Sequence, residues 1–154
     1  MGQRRELKFK NLNEARAELK RLEKGPIVTT GNWSYYQILD HLQKNAVRSM
    51  TAFPQLQSWW LRRLAGPMIL VIILRQGSIP PGTGAFIGTT PKVKGNEKKA
   101  LADLRKTLTD LEKHQGPWAE HPIFGKMNKE KWLHLTSLHI ASHLGWAKLK
   151  TDKL

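Results

Sequence analysis

Cysteine is absent from all 154 residues, which excludes a disulfide framework and a cysteine nucleophile. Acidic residues are also scarce, with 12 Asp and Glu against 26 Lys and Arg, so the formal net charge is +14. A charge of this size attracts nucleic acid, anionic membranes or acidic metabolites, but it does not choose among them. A basic, solvated surface without a dedicated partner is the simplest interpretation.

Long hydrophobic runs are missing as well. The one strongly apolar segment covers residues 67–74, far fewer than the roughly 20 residues that a membrane-spanning helix needs. We therefore expect no transmembrane segment, and a buried helix or pocket wall at 67–74. Packing of this segment against a second copy, as a homodimer, is the alternative. The first ten residues are charged with no apolar stretch after them, which argues against a secretory signal and favours the cytoplasm.

The remaining composition is that of an ordinary globular protein. Hydrophobic residues make up 40% and charged residues 25% of the chain, which distinguishes it from a disordered tail. A chain of this length buries roughly 70% of its unfolded surface, so it can build a core without a metal to hold it together. We expect a single domain over residues 1–154.

Turn residues divide the first third of the chain into two helices. The first is predicted at 13–23, with Asn13 as its cap and an end at Gly25-Pro26. The second starts at a capping box formed by Ser34 and Gln37 and runs to about Thr51, with His41 on its buried face.

The rest of the chain predicts two further helices and a kinked one. Segments 58–65 and 67–75 read as a third helix broken at Gly66-Pro67, and residues 77–95 hold too much glycine and proline for regular structure. Helical spacing resumes at 96–114, and Asn128 caps a final helix that runs to about Leu149. The pattern predicts an all-α fold: a four-helix bundle with a kinked third helix and a long crossover loop.

Three histidines are the main candidates for chemistry. His139 and His143 are four residues apart, which places them on one helix face about 6 Å apart along the axis. They lie in a predicted buried stripe on the last helix, and His41 on the second helix is the natural third member. Three neutral imidazoles would leave a divalent ion with an open position. Hydrogen bonds from serines, backbone carbonyls or water to buried histidines are the alternative.

Several motifs resemble the DinB/YfiT-like superfamily along nearly the whole chain. The most specific are Gly31-Asn-Trp-Ser34 at the start of the second helix, the loop His121-Pro-Ile-Phe-Gly125, and the final pair His139 and His143. Residues 55–94 carry little of the likeness. The closest resemblance is to an uncharacterised branch of the superfamily.

The resemblance implies a four-helix bundle with a metal ion, zinc or nickel, held by His41, His139 and His143. Characterised members of the superfamily include transferases and an isomerase that use low-molecular-weight thiols. The resemblance therefore implies a metal-dependent enzyme acting on a small molecule, such as a thiol-dependent S-transferase or a hydrolase. The sequence lacks a glutamate directly after His139, so the mechanism of zinc proteases is unsupported.

The other histidines and the six tryptophans have simpler interpretations. We expect His134 at the surface or behind the site, His114 at a helix end, and His121 in a structural turn. Trp59 and Trp60 lie on the kinked third helix. Most of the six tryptophans should lie in the core, and such rings could also line a pocket above the ion.

A non-enzymatic basic protein that binds nucleic acid or another anionic partner is the alternative function. The lysines that motivate it are Lys92, Lys94, Lys98, Lys99, Lys126, Lys129 and Lys131. No helix-turn-helix, zinc-finger or aromatic-basic stacking pattern accompanies them, so the metal-dependent enzyme is favoured over the nucleic-acid-binding hypothesis.

Overall fold

A computed structural model describes residues 2–80 and 84–152. Over these residues it contains five α-helices, one π-helical segment and two short strands. Their bounds are α1 Leu12–Leu22, β1 Ile27–Thr29, α2 Tyr35–Met50, a π-helical segment Leu61–Ala65, α3 Gly66–Gln76, α4 Glu97–Lys113, α5 Lys129–Leu144 and β2 Ala147–Leu149. The mostly helical architecture agrees with the all-α prediction.

The first two helices begin at side-chain caps. The cap of α1 is Asn11 rather than the predicted Asn13, because the Asn11 side chain accepts the backbone N–H of Glu14 at 3.1 Å. The predicted capping box of α2 is confirmed: Ser34 accepts the N–H of Gln37 at 3.2 Å, and the Gln37 side chain accepts the N–H of Ser34 at 3.0 Å. These reciprocal bonds satisfy free donors at the helix start and hold α2 in place.

The third helix is not broken at Gly66-Pro67 as predicted. Residues 59–60 are helical and pass through the π-helical segment directly into α3, where the Gly66 N–H donates to the Leu61 carbonyl. Pro67 follows the π-helical segment directly, at the start of α3, and such π-helical turns inside helices are irregularities of the kind that accompany a residue without an N–H. Gly66 is needed for a close approach, since a Cβ at this position would lie 2.0 Å from the carbonyl oxygen of Ile123.

The segment between α3 and α4 is irregular, as predicted. Residues 77–80 and 84–95 form turns, bends and irregular chain, while residues 81–83 of the predicted loop lie outside the described residues. Asn96 then caps α4 by accepting the N–H of Lys99 at 2.9 Å. The helix ends at Lys113, within a residue of its predicted end.

The last helix is shorter than predicted. It ends at Leu144 instead of about Leu149, and residues 147–149 form β2, which pairs antiparallel with β1 so that Val28 lies opposite Lys148. Strands of three residues are too short to show alternation in a sequence. Their pairing joins segments more than a hundred residues apart, so local patterns could not reveal it.

Two clusters form the hydrophobic core, and α5 contributes to both. The larger one combines residues of α1, α2, α4 and the C-terminal half of α5. The smaller one combines α3, the N-terminal half of α5 and the chain that follows α4. The prediction of a single buried stripe on α5 was wrong, because the buried residues cover nearly every face: Trp132, Leu135, Thr136, Ser137, Leu138, Ile140, Ala141 and Leu144.

Trp59 and Trp60 are 63% and 59% exposed, although most tryptophans were expected in the core. Among the described residues, no helix combines the length and apolar character required to cross a membrane.

Candidate metal centre

The buried histidine of α2 has its tautomer set by a neighbour. His41 is 2% exposed, and its Nδ1 lies 2.8 Å from the carbonyl oxygen of Thr89. A carbonyl oxygen only accepts, so Nδ1 carries the proton and donates it. Burial lowers the pKa of His41, partly offset by this hydrogen bond, and the ring is neutral at pH 7. Its Nε2 therefore presents a free lone pair.

The structure brings the three predicted histidines together. The Nε2 atom of His139 lies 3.2 Å from Nε2 of His41 and 3.1 Å from Nε2 of His143. Each residue offers one ring nitrogen, and the three atoms all lie within 4.8 Å of one another. His41 is buried and the α5 pair is half-buried, so one side of the cluster is closed and the other is partly open.

All three imidazoles are held in the neutral form. Burial moves the pKa of His139 well below its usual value, and the neighbouring histidines lower it further. Burial also lowers the pKa of His143 to about 3, with smaller contributions from His41 and Arg4. Neutral imidazole is the form that binds a metal ion.

The arrangement fits a divalent ion better than it fits mutual hydrogen bonding. Two nitrogens bound to one tetrahedral zinc at about 2.05 Å lie about 3.3 Å apart, close to the separations around His139. Without an ion, Nε2 of His139 has two nitrogen neighbours but can share at most one proton with them. The lone pair of His41 points at the same atom. One cation accepts all three lone pairs at once.

The crossover loop supplies the group that orients His41. Thr89 is fully buried, and both its N–H and its hydroxyl donate to the carbonyl of Phe86, at 2.9 and 2.8 Å. Such outer hydrogen bonds fix the orientation of a ligating histidine. The crossover loop thus borders the histidine cluster, but the sequence did not predict the role of Thr89. It acts through a backbone carbonyl, which every residue has, so no sequence signal marks it.

An indole ring covers part of the cluster. Trp33 stacks on His143 with ring centroids 5.4 Å apart and an angle of 7° between planes, and it lies 4.9 Å from the His41 ring. Its position follows from the capping box, because Trp33 immediately precedes Ser34. Trp132, which is on the same helix as His139 and His143, lies beside His121 and Phe53.

No carboxylate joins the cluster within the part of the chain that the structure describes. Asp40 is adjacent to His41, but its carboxylate pairs with Lys44 at 2.7 Å and accepts the N–H of Lys92 at 2.8 Å. It faces away from the histidines, as its position next to His41 predicts. The ligand set is therefore neutral.

Two surface cavities among the described residues lie beside the cluster and not over it. A cavity of about 300 Å³ opens between α2 and the start of α4 and includes Tyr36, Asp40 and Lys94. A smaller one of about 140 Å³ includes Arg4 and Ser142. None of the three histidines lines either cavity, so neither is the aromatic pocket that the sequence suggested.

The other three histidines lie outside the cluster. His121 is buried, and its Nδ1 accepts the N–H groups of Ile123 and Phe124, each at 3.1 Å, which confirms the predicted turn. His114 is the C-cap of α4 and contacts the carbonyl of Pro117 at 3.0 Å. His134 is half-buried and outside the cluster.

Replacing His121 with asparagine should reduce the loss of stability in acid. Burial lowers the pKa of His121 to about 3, against about 6.5 in the unfolded chain. Its contribution is therefore complete above about pH 6.5 and is lost as pH falls toward 3, at about 1.4 kcal/mol per pH unit. The asparagine carbonyl can still accept from the turn but does not titrate.

The test is urea unfolding of wild type and His121→Asn at several values between pH 6.5 and 4, with His134→Asn as the matched control. The difference in free energy of unfolding between wild type and His121→Asn should change by more than 1 kcal/mol per pH unit. Parallel curves would show that His121 is not held neutral by burial.

Comparisons with known proteins identify a family. The model of the family described as "Protein of unknown function (DUF1569)" matches residues 1–149. Neither curated proteins nor solved structures yielded a match. Because the match covers almost the entire chain, the protein belongs to the DUF1569 family.

Proposed function

We propose that the protein is a metal-dependent enzyme in which His41, His139 and His143 hold one divalent ion, zinc or nickel. The observation that carries the proposal is the convergence of three neutral imidazole nitrogens, two of them 3.1 and 3.2 Å from Nε2 of His139. Three protein ligands with a free position are typical of catalytic rather than structural zinc sites.

The surrounding residues suit such a role. The Thr89 carbonyl holds the His41 ring so that Nε2 faces the cluster, and Trp33 shields the ring of His143 from solvent. Neutral ligands leave the ion's positive charge uncompensated. When bound, the ion would supply Lewis acidity and activate a water molecule or a thiol. The half-buried α5 pair marks the side from which a small molecule would approach.

The proposed reaction is thiol-dependent S-transfer or hydrolysis of a small-molecule substrate. The chain has no cysteine, so a thiol must come from a second molecule of low molecular weight. Membership of the DinB/YfiT-like superfamily, its four-helix bundle and a cytoplasmic location belong to the same proposal. The core shared by α1, α2, α4 and α5 supports the bundle.

Elemental mass spectrometry of the untagged protein tests the proposal first. We expect about one zinc or nickel ion per chain, lost when the three histidines are replaced together by alanine. The loaded protein is then screened for thiol transfer and hydrolysis, with the metal-free triple variant as the blank. If no ion binds after loading with either metal, the proposal fails. Salt-dependent binding to duplex and single strands then tests the nucleic-acid alternative.

A further inference from the structure

The helix that covers residues 59–76 carries an apolar face open to solvent. Its exposed side chains are large: Trp59 63%, Trp60 59%, Leu64 62%, Met68 69%, Ile69 41%, Val71 41% and Ile72 52%. Only the opposite face packs inward, through Gly66, Leu70 and Ile73. We call the seven exposed residues the outer face. Single exposed apolar residues are common on monomers, but a contiguous face of this kind marks an interaction site.

The outer face has a regular arrangement. Leu64, Met68 and Ile72 follow one another at intervals of four residues and therefore form one row along the helix. Met68 is in the middle of the row and is its most exposed member. Rows of this kind pack against the grooves of another helix.

The residues that flank the row at its two ends, an aromatic ring and a cation, are chemically complementary. Trp60 precedes Met68 by eight residues and Arg75 follows it by seven, so they flank the centre of the row at similar separations along the chain. Arg75 is exposed and has no ion pair among the described residues. The ring of Trp60 is also open, whereas that of Trp59 already lies under Arg63, 5.8 Å away.

We infer that the outer face is the interface of a homodimer in which two copies of this helix pack antiparallel about a two-fold axis at Met68. In that arrangement Leu64 meets Ile72 of the second copy. Trp60 meets Arg75 of the second copy in a cation–π contact, which forms twice by symmetry. The face is thus complementary to itself, the condition for a two-fold interface.

The local charges favour a second copy over an anionic lipid surface. Lipid-binding segments typically hold about four to eight unpaired cations. Here Arg62 pairs with Glu120 and Arg63 lies over Trp59, so among the described residues of this helix Arg75 is the one cation without such a contact. The apolar row is continuous, as expected for the core of a dimer interface.

The cysteine-free chain permits a direct test of the geometry. Met68→Cys places one thiol per chain close to the proposed axis, whereas Val93→Cys places one at a 76% exposed position in the crossover loop. Mild oxidation at micromolar protein should convert most of the Met68→Cys variant to a covalent dimer and leave Val93→Cys largely uncrosslinked. Equal rates for the two variants would overturn the proposal.

Solution mass gives a second readout. Light scattering of wild type should report twice the 17.6 kDa of one chain. Met68→Glu should weaken association about 100-fold or more through charge repulsion at the axis, and Arg75→Ala about tenfold. Their circular dichroism and metal content should be unchanged. A monomeric wild type would overturn the proposal, and binding of that monomer to anionic vesicles would assign the face to lipid.

Discussion

Zinc at a thousand times its dissociation constant is expected to raise the midpoint of thermal unfolding by about 10 °C, and His139→Ala should abolish the rise. A ligand at that concentration adds about 4 kcal/mol to the free energy of unfolding. For a chain near 150 residues, each kcal/mol corresponds to about 2–4 °C. The size of this shift follows from the ratio of zinc to its dissociation constant. The neutral histidines within bonding reach of one ion determine where zinc binds, so removing His139 should remove the shift.

His139 is the most informative residue to remove because both other histidines approach its Nε2. His134→Ala is the matched control: it changes another half-buried histidine of the same helix, outside the cluster. Calorimetry with and without zinc, combined with elemental analysis, makes the measurement. If His139→Ala keeps the full shift while His134→Ala loses it, the ion binds elsewhere and the proposed centre is wrong.

Gly66→Ala should destabilise the protein by about 3 kcal/mol, the upper range for forcing atoms into a packed site. Helix propensity alone predicts the opposite, because alanine is favoured over glycine by about 1 kcal/mol. The steric effect should win, since a Cβ would lie 2.0 Å from the carbonyl oxygen of Ile123 and 2.8 Å from that of Leu61. Both obstacles are backbone atoms, which cannot rotate away.

Urea unfolding of Gly66→Ala beside Ala65→Gly separates the two effects. The control adds a glycine to the same helix without a clash and should cost about 1 kcal/mol. A Gly66→Ala variant more stable than wild type would show that the Ile123 backbone does not pack against α3. It would also restore the interpretation of Gly66 as a simple helix breaker.

Helix starts were predictable where the signal is local. The bonds between Ser34 and Gln37 span three residues, so the capping box of α2 could be read directly. The cap of α1 was misplaced from Asn11 to Asn13, because two asparagines two residues apart are equally good caps. Gly66 was misread as a break because its reason for being glycine, the backbone of Ile123, is distant in sequence.

The candidate site also combines residues that sequence patterns predict with a group that they do not predict. His139 and His143 were predicted to share a face because four residues make about one helical turn, a property of any α-helix. Their meeting with His41 was predicted from its buried position on α2 and from the resemblance. The Thr89 carbonyl could not be predicted, because it is a backbone group in an irregular loop.

The sequence by itself determined the approximate positions of the helices, the shared face of His139 and His143, and the need for an external thiol in any thiol chemistry. These follow from composition and from periodicities of a few residues. Only the tertiary structure decided that α5 is buried on nearly all faces, that β1 pairs with β2, and that Trp59 and Trp60 face outward. Each of these depends on which distant segments pack together, and local spacing carries no information about that.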